Sequence, residues 1–269
     1  MRHDLGALLA RNEGPPCFGL PCAHSCYLPR RRWGLRNRSS RKRHVSSQTD
    51  VALALVLAVD ASGSVSDDRF ELQKQGYAAA FRNRQVLNSI RSLITQSIAV
   101  TMMQWTGPEL HVQTVEWRVA KDEASVNALA DAIEASKRQL FGGGTSISGA
   151  IDYSRILLAA SPFLGIRRVI DISGDGTNNR GRAVTLARDE AVRDGISING
   201  LPILALEPDL GRYYYDQVIG GPGAFMVPAR NYDTFADAIL KKLITEIAWA
   251  ASNTQRSSSI TLSDVRFRR

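Results

Sequence analysis

Cysteine is nearly absent from this 269-residue chain: three residues, Cys17, Cys22 and Cys26, sit near the N-terminus and none follows. No disulfide framework and no thiolate metal centre can therefore organise the remainder. The three cysteines and His24 do not form two close ligand pairs, and their spacing fits no standard zinc finger. Histidine is equally sparse. Of four, His3, His24 and His44 precede residue 45 and His111 alone lies beyond, which leaves little imidazole for acid–base chemistry. A run of ~18 apolar residues is also missing, which argues against a membrane-spanning helix. The apolar piece Leu5–Leu9 is too short for a secretory signal peptide, and the basic cluster follows it instead of preceding it.

Acidic residues are missing from one stretch in particular, Pro29–Gln48, which is rich in Arg and Ser. Residues 1–50 hold ten Lys and Arg against three acids, whereas the remaining 24 basic and 23 acidic residues nearly cancel. The overall charge of +8 thus describes the first 50 residues and gives no nucleic-acid signal for the rest. That basic segment reads as a disordered tail without a partner, a patch for nucleic acid or anionic membrane, a targeting peptide, or an extension upstream of the true start. We expect residues 1–49 to be tail, 50–249 one domain, and 250–269 a polar tail, with Ile260–Phe267 able to form a weak strand. The compartment is periplasmic or secreted if the true start encodes a signal peptide, and otherwise cytoplasmic; oligomeric state is not legible.

What is present is a nine-residue apolar run, Val51–Val59, closed by Asp60 and followed by Ser62 and Ser64. A run with no polar face predicts a strand buried on both sides, in the middle of a parallel sheet. Ser66, Asp67 and Asp68 then start a helix running to about Val86. Strands follow at Ser97–Trp105 and His111–Val119, joined by Thr106-Gly107-Pro108-Glu109 as an antiparallel hairpin. A helix over Lys121–Arg138 leads into Phe141-Gly142-Gly143-Gly144-Thr145-Ser146. Three glycines let that loop fold tightly and present Thr145. A helix over Ser146–Ala160, a buried strand Arg168–Ile172 ending in Ser173-Gly174-Asp175-Gly176, and a helix Ala183–Arg193 come next. The remainder reads as a strand Ser197–Leu206, an irregular helix Leu210–Val218, a last strand Ala224–Val227 and an amphipathic helix Tyr232–Ala248. Alternating strands and helices imply an α/β, doubly wound, mostly parallel Rossmann-like sheet with one antiparallel edge strand and helices on both faces.

In such sheets ligands bind at the C-terminal strand edge. Three loops converge there, bringing Asp60, Ser62 and Ser64, then Thr145, then Asp175. Two carboxylates and three hydroxyls are hard donors that favour Mg²⁺, Mn²⁺ or Ca²⁺ over zinc, and five protein groups leave a coordination position free. Gly142–Gly144 offers a phosphate cradle as an alternative, but no Gly-Lys-Ser/Thr follows it. Trp105 and Trp117 read as packing residues.

The pattern DASGS at 60–64, the threonine of GGGTS at 142–146 and the aspartate of SGDG at 173–176 resembles the metal-ion-dependent adhesion site, or MIDAS, of von Willebrand factor type A (vWA) domains. It is most similar to a bacterial branch of largely single-domain members, over about Asp50–Ala248. The resemblance implies that Ser62, Ser64 and Thr145 contact the metal while Asp60 and Asp175 contact it directly or through water and balance its charge. It further implies that a partner's acidic group completes the shell. Gly174 departs from the family, many members of which have threonine before the aspartate.

The expected function is a non-enzymatic, divalent-metal-dependent protein-binding module, with Mg²⁺ first and Mn²⁺ or Ca²⁺ as alternatives, whose partner presents Asp or Glu. An Asp60→Ala variant is expected to lose binding and keep the fold, because Asp60 reads as a surface ligand. The competing expectation is a Mg²⁺-dependent phosphohydrolase or phosphotransferase with Asp60 as nucleophile. Such chemistry usually has a second acid two residues on, where this chain has Ser62.

Overall fold

The computed structural model describes residues 49–264, with side chains described to residue 251; the expectations for residues 1–48 lie outside this range. The apolar run forms β1 (Thr49–Asp60), and every residue from Val51 to Asp60 is buried. It pairs in parallel with β2 (Ile98–Trp105) on one side and with β4 (Phe163–Gly174) on the other. Strand β3 (His111–Ala120) runs antiparallel to β2, and β5 (Ile196–Pro202) parallel to β4. The order is β3-β2-β1-β4-β5, so β1 is the centre.

Side chains alternate across β1 as a strand requires. Leu53, Leu55, Leu57 and Val59 join one core, with Phe70, Tyr77 and Phe81 of α1 (Asp67–Arg82), Val126, Leu129 and Ile133 of α3 (Glu123–Ala135), and the apolar stripe of α7 (Phe235–Asp264). Ala54, Val56 and Ala58 join the opposite core, with Ile147, Ala150 and Ile151 of α4 (Ile147–Ala159) and Ala187 and Ala191 of α5 (Val184–Arg193). A strand without a polar face is one with helices on both sides.

Two strands differ in extent from the sequence reading, β4 starting earlier at Phe163 and β5 ending earlier at Pro202, and four further elements differ in kind or by a whole segment. The first helix stops at Arg82, because Asn83 is extended (φ −71°, ψ 131°) and its side chain accepts the Gln85 N–H at 2.8 Å. That cap starts a separate helix, α2 (Arg84–Arg91). The irregular helix divides into α6 (Leu210–Tyr213) and a wide π turn, Tyr214–Val218. The strand expected at Ala224–Val227 is absent; isolated bridges such as Gly200 to Met226 stand in its place. A second bridge joins Ile203 to Ala229, and Pro202 and Pro228 between the two have no N–H to give, so no regular ladder connects them.

Finally, α7 runs on to Asp264, through the polar tail expected from residue 250 and the first part of the weak strand expected at Ile260–Phe267. No Gly or Pro interrupts residues 250–264, and extending a helix is far easier than nucleating one. No helix among the described residues is long and apolar enough to cross a membrane.

Candidate metal centre

Asp60 ends β1 at the middle of the C-terminal sheet edge. Its carboxylate is fully buried: Oδ1 accepts the Ser62 N–H at 2.7 Å and Oδ2 the Asp175 N–H at 3.4 Å. Ser62 Oγ lies 3.2 Å from Ser64 Oγ, and the Ser64 hydroxyl donates to Asp175 Oδ1 at 2.5 Å. The first and third predicted loops are therefore joined by side chains 111 residues apart in sequence.

The second loop reaches the same edge through its backbone. Gly142, Gly143 and Gly144 all adopt left-handed φ (72°, 91° and 82°), a run open to glycine at little strain. Ser146 N–H then donates to Thr106 O at 2.7 Å, and Asn179 clamps Thr145 from both sides. Its side-chain Oδ1 takes the Thr145 N–H at 2.9 Å, while its own N–H donates to Thr145 O at 2.9 Å. Thr145 is buried, and a β-carbon on Gly176 would lie 3.8 Å from Thr145 Oγ1, so the threonine borders the turn that carries Asp175. All five sequence-predicted residues thus come to one edge of the sheet.

Several residues at this edge escaped the sequence reading. Tyr232, at the start of the turn into α7, donates its hydroxyl to Asp175 Oδ2 at 2.8 Å. Both Asp175 oxygens are therefore held by hydroxyl donors. Arg138 donates to Ala61 O at 3.1 Å, Ser62 O at 3.3 Å and Asp67 Oδ1 at 2.8 Å, and so fastens the first loop to the start of α1. Its guanidinium also lies 4.6 Å from the centroid of the exposed Phe141 ring. Glu207 accepts the Thr177 N–H with both carboxylate oxygens at 3.2 Å. None of these residues carried a local signal, because each bonds to a segment far from it in the chain.

Burial pushes the Asp60 carboxyl up to about 7, and the neighbouring Asp175 charge adds to the effect. Two carboxylates held together away from water are a site of concentrated negative charge, which a divalent cation would offset. Among the described residues no three His, Cys, Asp or Glu side chains gather into a metal-binding group. Any ion here would therefore need the hydroxyls as donors beside the two acids. That donor set is all oxygen and fits a hard cation.

Full burial corrects one expectation. Asp60 is not a surface ligand, and Asp60→Ala would strand two backbone N–H groups, costing about 1–3 kcal/mol for each group left without a partner. Asp60→Asn keeps an acceptor and is the cleaner variant.

Solved structures with this fold include the vWA protein from Catenulispora acidiphila, 15% identical, with a TM-score of 0.52 over 74% of this chain and 43% of that one. Proximal thread matrix protein 1 from the mussel byssus, solved with zinc in its MIDAS motif, is 13% identical, with a TM-score of 0.53 over 73% of this chain and 46% of that one. The pilus adhesin SpaC from Lactobacillus rhamnosus GG is 14% identical, with a TM-score of 0.53 over 74% of this chain and 31% of that one. The matched part spans less than half the length of each. No curated protein sequence matches the chain. The chain has the vWA fold, and through its match over residues 50–251 it belongs to the family described as Protein of unknown function (DUF1194).

Proposed function

We propose that this protein is a divalent-cation-dependent protein-binding module. Ser62, Ser64 and Thr145 supply hydroxyl donors, Asp60 and Asp175 supply charge, and a carboxylate of a partner protein completes the shell of a cation, Mg²⁺ first. One observation carries the reading: three sequence-distant loops deliver two acids and three hydroxyls to one sheet edge, with Ser64 bridging directly to Asp175. The mussel protein's zinc-occupied MIDAS supports a cation at the corresponding motif of this fold. The all-oxygen donor set of this chain favours magnesium over zinc. Because the relatives named include a pilus adhesin and a byssus protein, a periplasmic or secreted setting belongs to the same proposal.

The test is a calorimetric titration of the full chain with Mn²⁺ and Mg²⁺ beside its Asp60→Asn variant, followed by capture of partner proteins with and without EDTA. The expected result is saturable cation binding, weakened at least about tenfold by the substitution, and capture that chelation reverses. Full-strength capture in excess EDTA would overturn the proposal.

A further inference from the structure

Arg180 is fixed by its backbone against the second loop of the candidate metal centre. Its N–H donates to Thr145 O at 3.1 Å, and its own carbonyl oxygen accepts from the Asn178 side-chain amide at 2.9 Å. The side chain then lies along Gly144, where a β-carbon would meet Arg180 Cγ at 2.6 Å and Nε at 3.4 Å. Gly144 immediately precedes Thr145, so the guanidinium stands at the rim of the site.

Arg138 and Arg69, which border the same edge, are used within the chain. Arg138 is spent on the carbonyls and carboxylate named above, and Arg69 donates to Ser64 O at 2.8 Å with its guanidinium 5.2 Å from the centroid of Tyr232. Arg180 is different. It is exposed, and its guanidinium has no hydrogen bond or ion pair among the described residues. A planar fork of N–H donors without an acceptor of its own is open to a carboxylate from outside.

The neighbouring rim is exposed and apolar. Phe141 lies over the Arg138 guanidinium, and Gly142 after it comes within 3.7 Å of a β-carbon built on Gly63, between the two motif serines. Leu110 covers Gly143, where a β-carbon would meet its Cδ1 at 2.6 Å. Exposed apolar side chains beside an arginine are the composition of a protein-contact surface.

We infer that Arg180 determines which partner the site accepts: the ligand is a protein segment with two acidic side chains, one completing the shell of the ion and the other taken by Arg180. The inference rests on the cation-binding reading above and adds to it the chemistry of the partner. Charge complementarity carries it. The ion and the unpaired guanidinium beside it each attract a carboxylate, and one consumed by the ion leaves Arg180 in need of a second.

The test is selection of a random-peptide phage library on the full chain loaded with Mn²⁺, with bound phage released by EDTA, for wild type, Arg180→Gln and Arg180→Glu. Wild type should select peptides with two acids at a fixed spacing. Arg180→Gln should keep the first acid and lose the second, and Arg180→Glu should exchange the second for Lys or Arg. Both substitutions fall on an exposed side chain, so circular dichroism and thermal unfolding should be unchanged. A selected diacidic peptide should bind Arg180→Gln about threefold to fivefold more weakly than wild type, the range of one exposed ion pair, while its single-acid analogue binds both alike. A single-acid motif from wild type, or one motif from all three proteins, would overturn the inference. If wild type yields no phage that EDTA releases, the cation reading falls and this inference with it, a distinct result seen before any substitution.

Discussion

Tyr232 shows how much of a site can hang on one hydroxyl. It is nearly buried, and burial together with the Asp175 charge pushes its own ionisation up, so it stays a neutral donor to Asp175 Oδ2 at 2.8 Å. A hydrogen bond to a charged group contributes about 1.5–3 kcal/mol. Tyr232→Phe should therefore lower unfolding stability in urea by about 1–2 kcal/mol and weaken Mn²⁺ binding, because Asp175 would be held by Ser64 alone. Unchanged values in both measurements would mean that Asp175 is positioned by its backbone. Nothing in the local sequence marks Tyr232, since aromatic residues at helix starts are usually packing residues. The convergence of Asp60, Ser62, Ser64, Thr145 and Asp175 on one sheet edge, by contrast, was legible. Asp, Ser and Thr at the ends of apolar runs have few roles other than turns, caps and cation sites.

Among elements, the clasp between α4 and α5 is the most exposed to pH. Arg182 and Arg155 reach Glu190 at 2.7 and 2.9 Å, and Arg182 also bonds Asp152 while Arg155 bonds Asp194. The Arg182 guanidinium, helped by Arg155, holds the Glu190 carboxyl down at about 2. This folded value lies below the ~4.3 of an unfolded glutamate. The stabilisation is therefore complete above about pH 4.5 and is lost as pH falls towards 2. Glu190→Gln should show a shallower loss of thermal stability across that window, and the difference from wild type should shrink in high salt because the pair is solvent-screened. Parallel pH profiles for the two proteins would show that the clasp contributes nothing. The break between α1 and α2 belongs to this scale too. Asn83 sits inside a helical pattern, and its side chain stops one helix by capping the next.

For the molecule as a whole, the unexpected feature is charge inside the core. Lys242 of α7 lies 2.6 Å from Asp171 of β4, both essentially unexposed, in an ion pair that lacks hydrogen-bond alignment. One turn on, Glu246 pairs with Arg167 of β4 and accepts from Asn199 of β5. The half of the sheet under α7 is thus partly ionic, and the last helix is fixed to the two strands flanking the site's third loop. Lys242→Met should lower unfolding stability by about 3–5 kcal/mol, since Asp171 would be left as an unpaired buried charge. Adding Asp171→Leu should restore most of the loss, because the uncompensated charge is then gone. A single variant losing less than about 1 kcal/mol would show that the pair does not anchor α7.

The sequence by itself determined the central strand, the alternation of strands and helices, the antiparallel hairpin and the motif positions Asp60, Ser62, Ser64, Thr145 and Asp175. These follow from periodicity and from short-range chemistry, which act within one element or one loop. The face of α7 carrying Phe235, Ala238, Ile239, Leu243 and Ile247 was legible on the same grounds, and all five are buried. The burial of Lys242 and Glu246 carries no such local signal, because a charge enters a core only when a partner from elsewhere meets it. The Tyr232 hydroxyl, the Arg138 staple and the burial of Asp60 likewise depend on segments far apart in the chain. Only the tertiary structure decided them, since contacts of that range exist once the sheet has assembled and leave no periodic trace in the sequence.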